Sequence, residues 1–335
     1  MEILSKIHGH RLVEFARDRP ELLVLSADLT SSCEADLFRD AYPGRFISGG
    51  ISEQNLLSVA GGLAREGFVP LVHTFAVFIY RRALDQIAMS VAYPNLGVKM
   101  FGFLPGVTTP GGATHQALED VAVMRALPNL TVLEVGDATE VEGILPLVCS
   151  IPGPVYVRML RGEIPRLFDA AEPMALDTPR VISEGDDLLI VSSGICTEEA
   201  MRAAAALRAR GVSVGHLHVS TLKPFAHPRF AQWLERPQRG ILTVENHTTI
   251  GGLGSLVALK LVEHGLVKPL AMLGLQDTFA HGASRHYLMR EHGMDAAAII
   301  RESERLLGEK LAIGEADLAA VRIEAVHSAA KAEAL

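Results

Sequence analysis

Residues 45–75 read "RFISGGISEQNLLSVAGGLAREGFVPLVHTF". Two β-branched runs, "RFISGG" (45–50) and "VPLVHTF" (69–75), flank an apolar-periodic stretch that starts just after a good helix cap, Ser52. A strand, a helix and a second strand in that order make a crossover unit whose strands run parallel. The pattern extends outward in both directions. Further runs are "LLVLSAD" (22–28), "VKMFGF" (98–103), "TVLEV" (131–135) and "VYVRML" (155–160), with helix-period segments such as 78–92 and 117–127 between them. Near-continuous apolar strands alternating with helices indicate a parallel sheet covered on both faces. Pro-rich, charge-mixed sequence from about 163 to 187 breaks the pattern and reads as a linker. A second block carries strands "DLLIVSSG", "VSVGHLHV", "GILTVEN" and "LAMLGLQ", with helices starting near Thr197, Gly252, Ser284 and Asp295. The expected fold class is α/β, two doubly wound domains with mainly parallel sheets. The expected domains are 1–170 and 187–308, joined by a linker at 171–186 and followed by an Ala-rich helical tail at 309–335.

Composition narrows the function classes. The 335 residues are 49% hydrophobic and 21% charged, with a net charge of −8 and no densely basic stretch. That argues against nucleic acid or an anionic membrane as the main partner. No run approaches the roughly 20 apolar residues of a membrane span. The opening "MEILSKIHGHRLVEF" lacks an apolar signal core. Cys33, Cys149 and Cys196 have neither metal-ligand spacing nor an even count, so a cytoplasmic, reducing location is expected.

In open parallel sheets, ligands sit beyond the carboxyl ends of the strands. Asp28, Glu53, Thr74, Phe75 and the loop "PGGATHQ" (110–116) all follow such ends, on four different strands. Each residue alone has a plain structural use. Glu53 at a helix start complements the helix dipole, and Phe75 and Phe78 suit a core. His115, in a Gly-rich turn, is the more open candidate. "GGLGS" (251–255) could cradle an anion on free N–H groups but reads better as a tight helix start. A "GxSxG" elbow and usable metal-ligand spacings are both absent.

Taken in order, "SADLTSS" (26–32), "GGISEQNL" (49–56), "HTFAVFIYRRALDQI" (73–87), "GATHQALEDVAVMRALPNLTV" (112–132) and "GPVYVRMLRG" (153–162) resemble the transketolases. The related deoxyxylulose-phosphate synthases and 2-oxo acid dehydrogenase beta subunits share parts of this set. In the second block, "VENHTTIGGLGS" and "LGLQDTF" are similar to the transketolase C-terminal domain, so the resemblance spans roughly residues 1–308. It implies a pyrimidine-binding domain followed by that C-terminal domain, and thiamine diphosphate as cofactor. Glu53 matches the glutamate that hydrogen-bonds the aminopyrimidine ring and favours the imino tautomer, which takes the thiazolium proton. Phe75 and Phe78 match the aromatics packed on that ring, and Ile51 is placed with them. His115 matches a catalytic histidine that contacts donor oxygens. Asp28, Ser32 and Arg161 fall at substrate-binding positions.

Two departures shape the expectation. The diphosphate and Mg²⁺ motif, Gly-Asp-Gly followed by Asn, is missing; the nearest match is "GDA" at 136–138. The resemblance therefore implies a split enzyme, with no metal ligand in this chain. An N-terminal subunit would bring the diphosphate-binding domain and Mg²⁺, two copies of each chain together (α2β2). The loop "FLPGVTTPGGATHQ" (103–116) also has Phe103 or Leu104 where the family carries a histidine, and Gly111 where it carries an aspartate. A polar site that loses a partner changes which substrate it accepts. The expected activity is transfer of a two-carbon ketol group from a ketose to an aldehyde. Alternatives are an acyl-transferring subunit of the dehydrogenase or deoxyxylulose-phosphate-synthase type, and a noncatalytic structural subunit.

Overall fold

The computed structural model describes residues 4–320. The first domain is built on a seven-stranded sheet in the order Thr221–Lys223, Thr131–Glu134, Val155–Met159, Lys99–Phe103, Val69–Phe75, Leu22–Ser26, Phe46–Ser48. All neighbours are parallel except Thr221–Lys223, which runs antiparallel to Thr131–Glu134. The four strands whose ends carry the candidate residues are direct neighbours, in register Ser26↔His73 and Thr74↔Gly102. Their carboxyl ends therefore open on one edge of the molecule. Helices Glu53–Arg65, Ala76–Gln86 and Asp120–Ala126 cover the sheet, and every residue of the strands Leu22–Ser26, Lys99–Phe103 and Val155–Met159 is buried between layers. That double covering is why these strands are largely apolar along their length rather than at alternate positions, the polar exceptions Ser26, Lys99 and Arg158 being buried with them.

The second domain has a five-stranded sheet in the order Leu270–Leu275, Gly240–Thr248, Leu188–Ser192, Val214–His218, Arg180–Ser183. The first four are parallel and the last is antiparallel. Two segments lie where a linear reading does not put them. Arg180–Ser183, inside the stretch read as a linker (171–186), is an edge strand of the second sheet. Thr221–Lys223, in the middle of the second block, crosses back to complete the first sheet. Helices start at Cys196, Leu253, Arg285 and Ala296, within a residue of the expected positions. Of the tail expected at 309–335, helix Glu315–Ala320 is described, docked by an Arg210–Asp317 ion pair at 2.7 Å; residues 321–335 lie outside the described residues.

The domains share a continuous apolar core, in which Val107 and Leu118 pack with Leu242 and Val244 of the second domain, and buried polar groups cross the same seam. Arg158, on the strand Val155–Met159, is fully buried. Its guanidinium donates to Asp120 Oδ2 (3.0 Å), to Glu134 Oε1, to the Ala117 carbonyl (3.2 Å) and, across the domain boundary, to the Asn246 carbonyl (2.8 Å). Tyr156 donates to the same Asp120 oxygen at 2.7 Å. A second bridge runs from Glu140 in the first domain to His218 Nε2 (3.0 Å) and Ser220 in the second. Buried charges of this kind are stable only while paired. Removing Arg158 leaves two carboxylates without compensation. Arg158→Met should lower unfolding stability by about 3–5 kcal/mol, read from the urea midpoint, whereas Arg11→Met, at an exposed pair, should move it by less than about 1 kcal/mol.

Candidate active site

The helix Glu53–Arg65 begins directly after the turn that follows strand Phe46–Ser48. Ser52 does not cap the helix through its side chain; its hydroxyl donates instead to the Gly49 carbonyl at 2.5 Å, tightening the turn. Glu53 is the first helical residue and is 3% exposed. Its Oε1 accepts from Arg82 Nη1 at 2.7 Å; among the described residues nothing donates to Oε2. A carboxylate so nearly buried with an open oxygen is unlike a helix-start residue, which normally faces water.

Beside it lies an aromatic wall. Phe75 ends the strand Val69–Phe75 and Phe78 occupies the first turn of the helix Ala76–Gln86. Their rings are stacked at 5.8 Å with 22° between planes. The His115 imidazole meets both edge-on, at 5.5 Å from Phe78 and 6.4 Å from Phe75. Arg161, just past strand Val155–Met159, has its guanidinium 6.0 Å from the Phe75 ring and donates to the Ser32 carbonyl at 3.2 Å. Phe75, Phe78, His115, Ser32 and Arg161 thus form one connected group, with Glu53 joined to it through Arg82, whose guanidinium lies 3.9 Å from the Phe78 ring centre. No described contact ties Asp28 or Ile51 to this group. Asp28 is exposed in a left-handed turn (φ 63°), and Ile51 is 72% exposed beside Glu53.

The loop bearing His115 is set by the second domain. Asn246 accepts from the Val107 N–H (2.9 Å) and donates to the Pro105 carbonyl (3.0 Å), gripping the loop backbone. Only a glycine fits between them: Gly106 has φ 59°, and a Cβ there would lie 2.1 Å from Asn246 Oδ1. The buried Gln116 amide donates to the carbonyls of Thr109 (3.2 Å) and His281 (3.3 Å). Phe103 and Leu104, standing where the resemblance puts a histidine, are both buried. Phe103 packs instead against His8 and His73.

Other candidates resolve as architecture. The first two N–H groups of the helix Leu253–Glu263, after the Gly-rich turn, are taken by the Glu245 carboxyl group at 2.6 and 2.8 Å, so this helix start is filled by the chain's own side chain. His247 donates to the Thr248 carbonyl through Nδ1 (2.6 Å) and accepts from Ala122 N–H (3.4 Å). His227 stacks on Trp233. Two residues central to the site were not singled out from sequence: Arg82, whose signal is its spacing of four from Phe78 on one helix, and Asn246, which has none.

The geometry meets its relatives here. Family models for the transketolase pyrimidine binding domain and the transketolase C-terminal domain match residues 4–166 and 178–299. The chain belongs to the transketolase family. A transketolase family protein of Sinorhizobium fredii is 39% identical over 304 residues, covering 90% of this chain and 88% of the relative. The 6-deoxy-6-sulfo-D-fructose transketolase subunit of a Clostridium species is 36% identical, covering 89% and 92%. Among solved structures, a split-gene transketolase described as an inactive β4 tetramer superposes with a TM-score of 0.81 at 36% identity, over 91% of this chain and 98% of that one. A transketolase from Pichia stipitis, 18% identical with a TM-score of 0.74, shares the fold over 47% of its own length. The two α/β domains read from sequence are those of the family, a transferase family dependent on thiamine diphosphate. Among the described residues no helix is long and apolar enough to cross a membrane.

Burial makes the protein acid-sensitive. His73, packed on Phe101 and Phe103, donates from Nδ1 to the Leu71 carbonyl (3.1 Å) and meets His8 Nε2 through Nε2 at 2.8 Å. Burial lowers His73 and His247 to about 4 and His216 to about 3. An unfolded chain takes up these protons near the ordinary value of 6.5, before the folded one does. Their contribution to stability is therefore complete above about pH 6.5 and is lost as pH falls toward 4. Between pH 7 and pH 5 these histidines lower the urea midpoint, while Glu245, which burial raises to about 8, acts in the opposite sense. His73→Phe should raise the midpoint at pH 5 relative to that at pH 7, and an unchanged pH dependence in this variant would refute this.

Proposed function

We propose that this chain is the pyrimidine-side subunit of a two-chain transketolase that moves a two-carbon ketol group from a ketose to an aldehyde. The observation that carries the reading is Glu53: a nearly buried carboxylate with one free oxygen, beside a Phe75–Phe78–His115 wall at the open edge of the sheet. The residues present fit an aminopyrimidine. Glu53 would accept its ring hydrogen bond, Phe75 and Phe78 would stack on it and exclude water, and the exposed Ile51 would join them once covered. Thiamine diphosphate, when bound, supplies the electron sink for cleavage of the ketose carbon–carbon bond. His115 would hold donor oxygens while Asp28, Ser32 and Arg161 orient the rest of the sugar. Arg161 suits an anionic ketose, in keeping with the sulfo-sugar named for the Clostridium relative.

The diphosphate and Mg²⁺ have no counterpart here. Gly-Asp-Gly is absent from the sequence, and among the described residues no three His, Cys, Asp or Glu are grouped to hold a metal. An N-terminal subunit would supply them, with two copies of each chain and the site between chains. The β4 assembly named inactive for the split-gene structure supports a need for such a partner. Three free cysteines suit a reducing, cytoplasmic setting.

Co-purification from the native cell should yield a partner carrying Gly-Asp-Gly and a downstream Asn. In that complex Glu53→Gln should cut ketol transfer by roughly 10²–10⁴-fold with an unchanged native mass. Full turnover by the variant would sink the catalytic role of Glu53. Release of carbon dioxide from pyruvate as donor would instead favour the acyl-transferring alternative.

A further inference from the structure

The ion pair at Glu53 is lopsided. Arg82 reaches Oε1 through Nη1 alone, although an arginine and a carboxylate usually engage through two parallel bonds. The guanidinium has a second contact, its carbon lying over the Phe78 ring at 3.9 Å from the centre. Phe78 and Arg82 are four residues apart on the helix Ala76–Gln86 and so share a face. Arg82 is the last residue before a break: Ala83 has φ −119° and ψ 20° within the helix, and the following turn, Ile87–Ala92, is a π-helix. Such irregular turns cluster at functional sites. Arg82 itself is 42% exposed, against 3% for its partner, so the pair is held from the outer, wet side of the site.

We propose that Arg82 is a positioning residue for Glu53. It clamps one carboxylate oxygen, with its own plane fixed by stacking on Phe78, so that the second oxygen is presented to the aminopyrimidine. Arg82 touches neither substrate nor the reacting atoms; it acts through Glu53. A flexible lysine could supply the charge and one bond but would lack the planar stack. This rests on Glu53 being the cofactor-contacting carboxylate, which the Glu53→Gln experiment tests by itself.

The test is a cycle of variants in the assembled two-subunit enzyme, read by calorimetric titration with thiamine diphosphate and Mg²⁺ and by ketol-transfer kinetics. Arg82→Met should weaken cofactor binding by about tenfold, equivalent to about 1.4 kcal/mol, and lower kcat while leaving the sugar KM within twofold. Arg82→Lys should recover part of the loss. In a Glu53→Gln background the further change Arg82→Met should have no effect on cofactor affinity, because the group it positions is gone. Three results would overturn the proposal. Tighter cofactor binding in Arg82→Met would show that the arginine competes for the pyrimidine's place. An undiminished effect in the Glu53→Gln background would show that it acts through Phe78 or the fold. Unchanged binding and kcat would show that it does nothing to Glu53. If Glu53→Gln itself changed nothing, the function reading would fail independently of Arg82.

Discussion

Arg158 is the constraint around which the molecule is organised. Four of its five N–H groups are satisfied at a depth where water is excluded, by Asp120, Glu134 and the carbonyls of Ala117 and Asn246. A buried guanidinium is tolerated only when nearly every N–H has a partner. That requirement fixes, together, the end of the strand Val155–Met159, the start of the helix Asp120–Ala126 and the second-domain strand Gly240–Thr248. Because Ala117 lies just after His115 and Asn246 grips the same loop at Pro105 and Val107, the charge network also sets where that loop runs. The charge network thus couples loop placement to domain docking, alongside the apolar core the two domains share.

The site is assembled on the opposite principle. Its rigid parts, Phe75 and Phe78, come from a strand end and the first turn of the next helix, where backbone freedom is least. Its polar parts, Glu53, His115 and Arg161, come from three other strand ends and meet only because the sheet places those strands side by side. The result is a half-built crevice: a nearly buried carboxylate with an open oxygen, an aromatic wall, and an exposed Ile51 at the rim. A buried acid and an exposed isoleucine two residues apart are each costly in a free chain, and both suit a surface completed by a second polypeptide.

Much of this was legible in the chain. Strand and helix positions follow from near-continuous apolar runs and period-3.6 patterning, and the helices of the second domain start within a residue of their cap signals. The order of the motifs marked the family, and Glu53, Phe75, Phe78 and His115 were all readable as a set. The antiparallel strands Arg180–Ser183 and Thr221–Lys223 were not, because at four and three residues they are too short to leave an apolar run. Arg82 and Arg158 look like ordinary arginines in the sequence. Nothing local distinguishes a guanidinium that will stack on Phe78, or one buried among carboxylates, from one in water.

By itself, then, the sequence determined what is local or periodic: two α/β units, the strand ends that bear chemistry, and the ordered motifs that mark the family. Tertiary structure alone decided what depends on groups far apart in the chain. Asn246 meets Pro105 across 141 residues, and Arg82 meets Glu53 across 29. Such contacts arise from how sheets order and layers pack, a cooperative outcome of the whole core that no window of residues encodes.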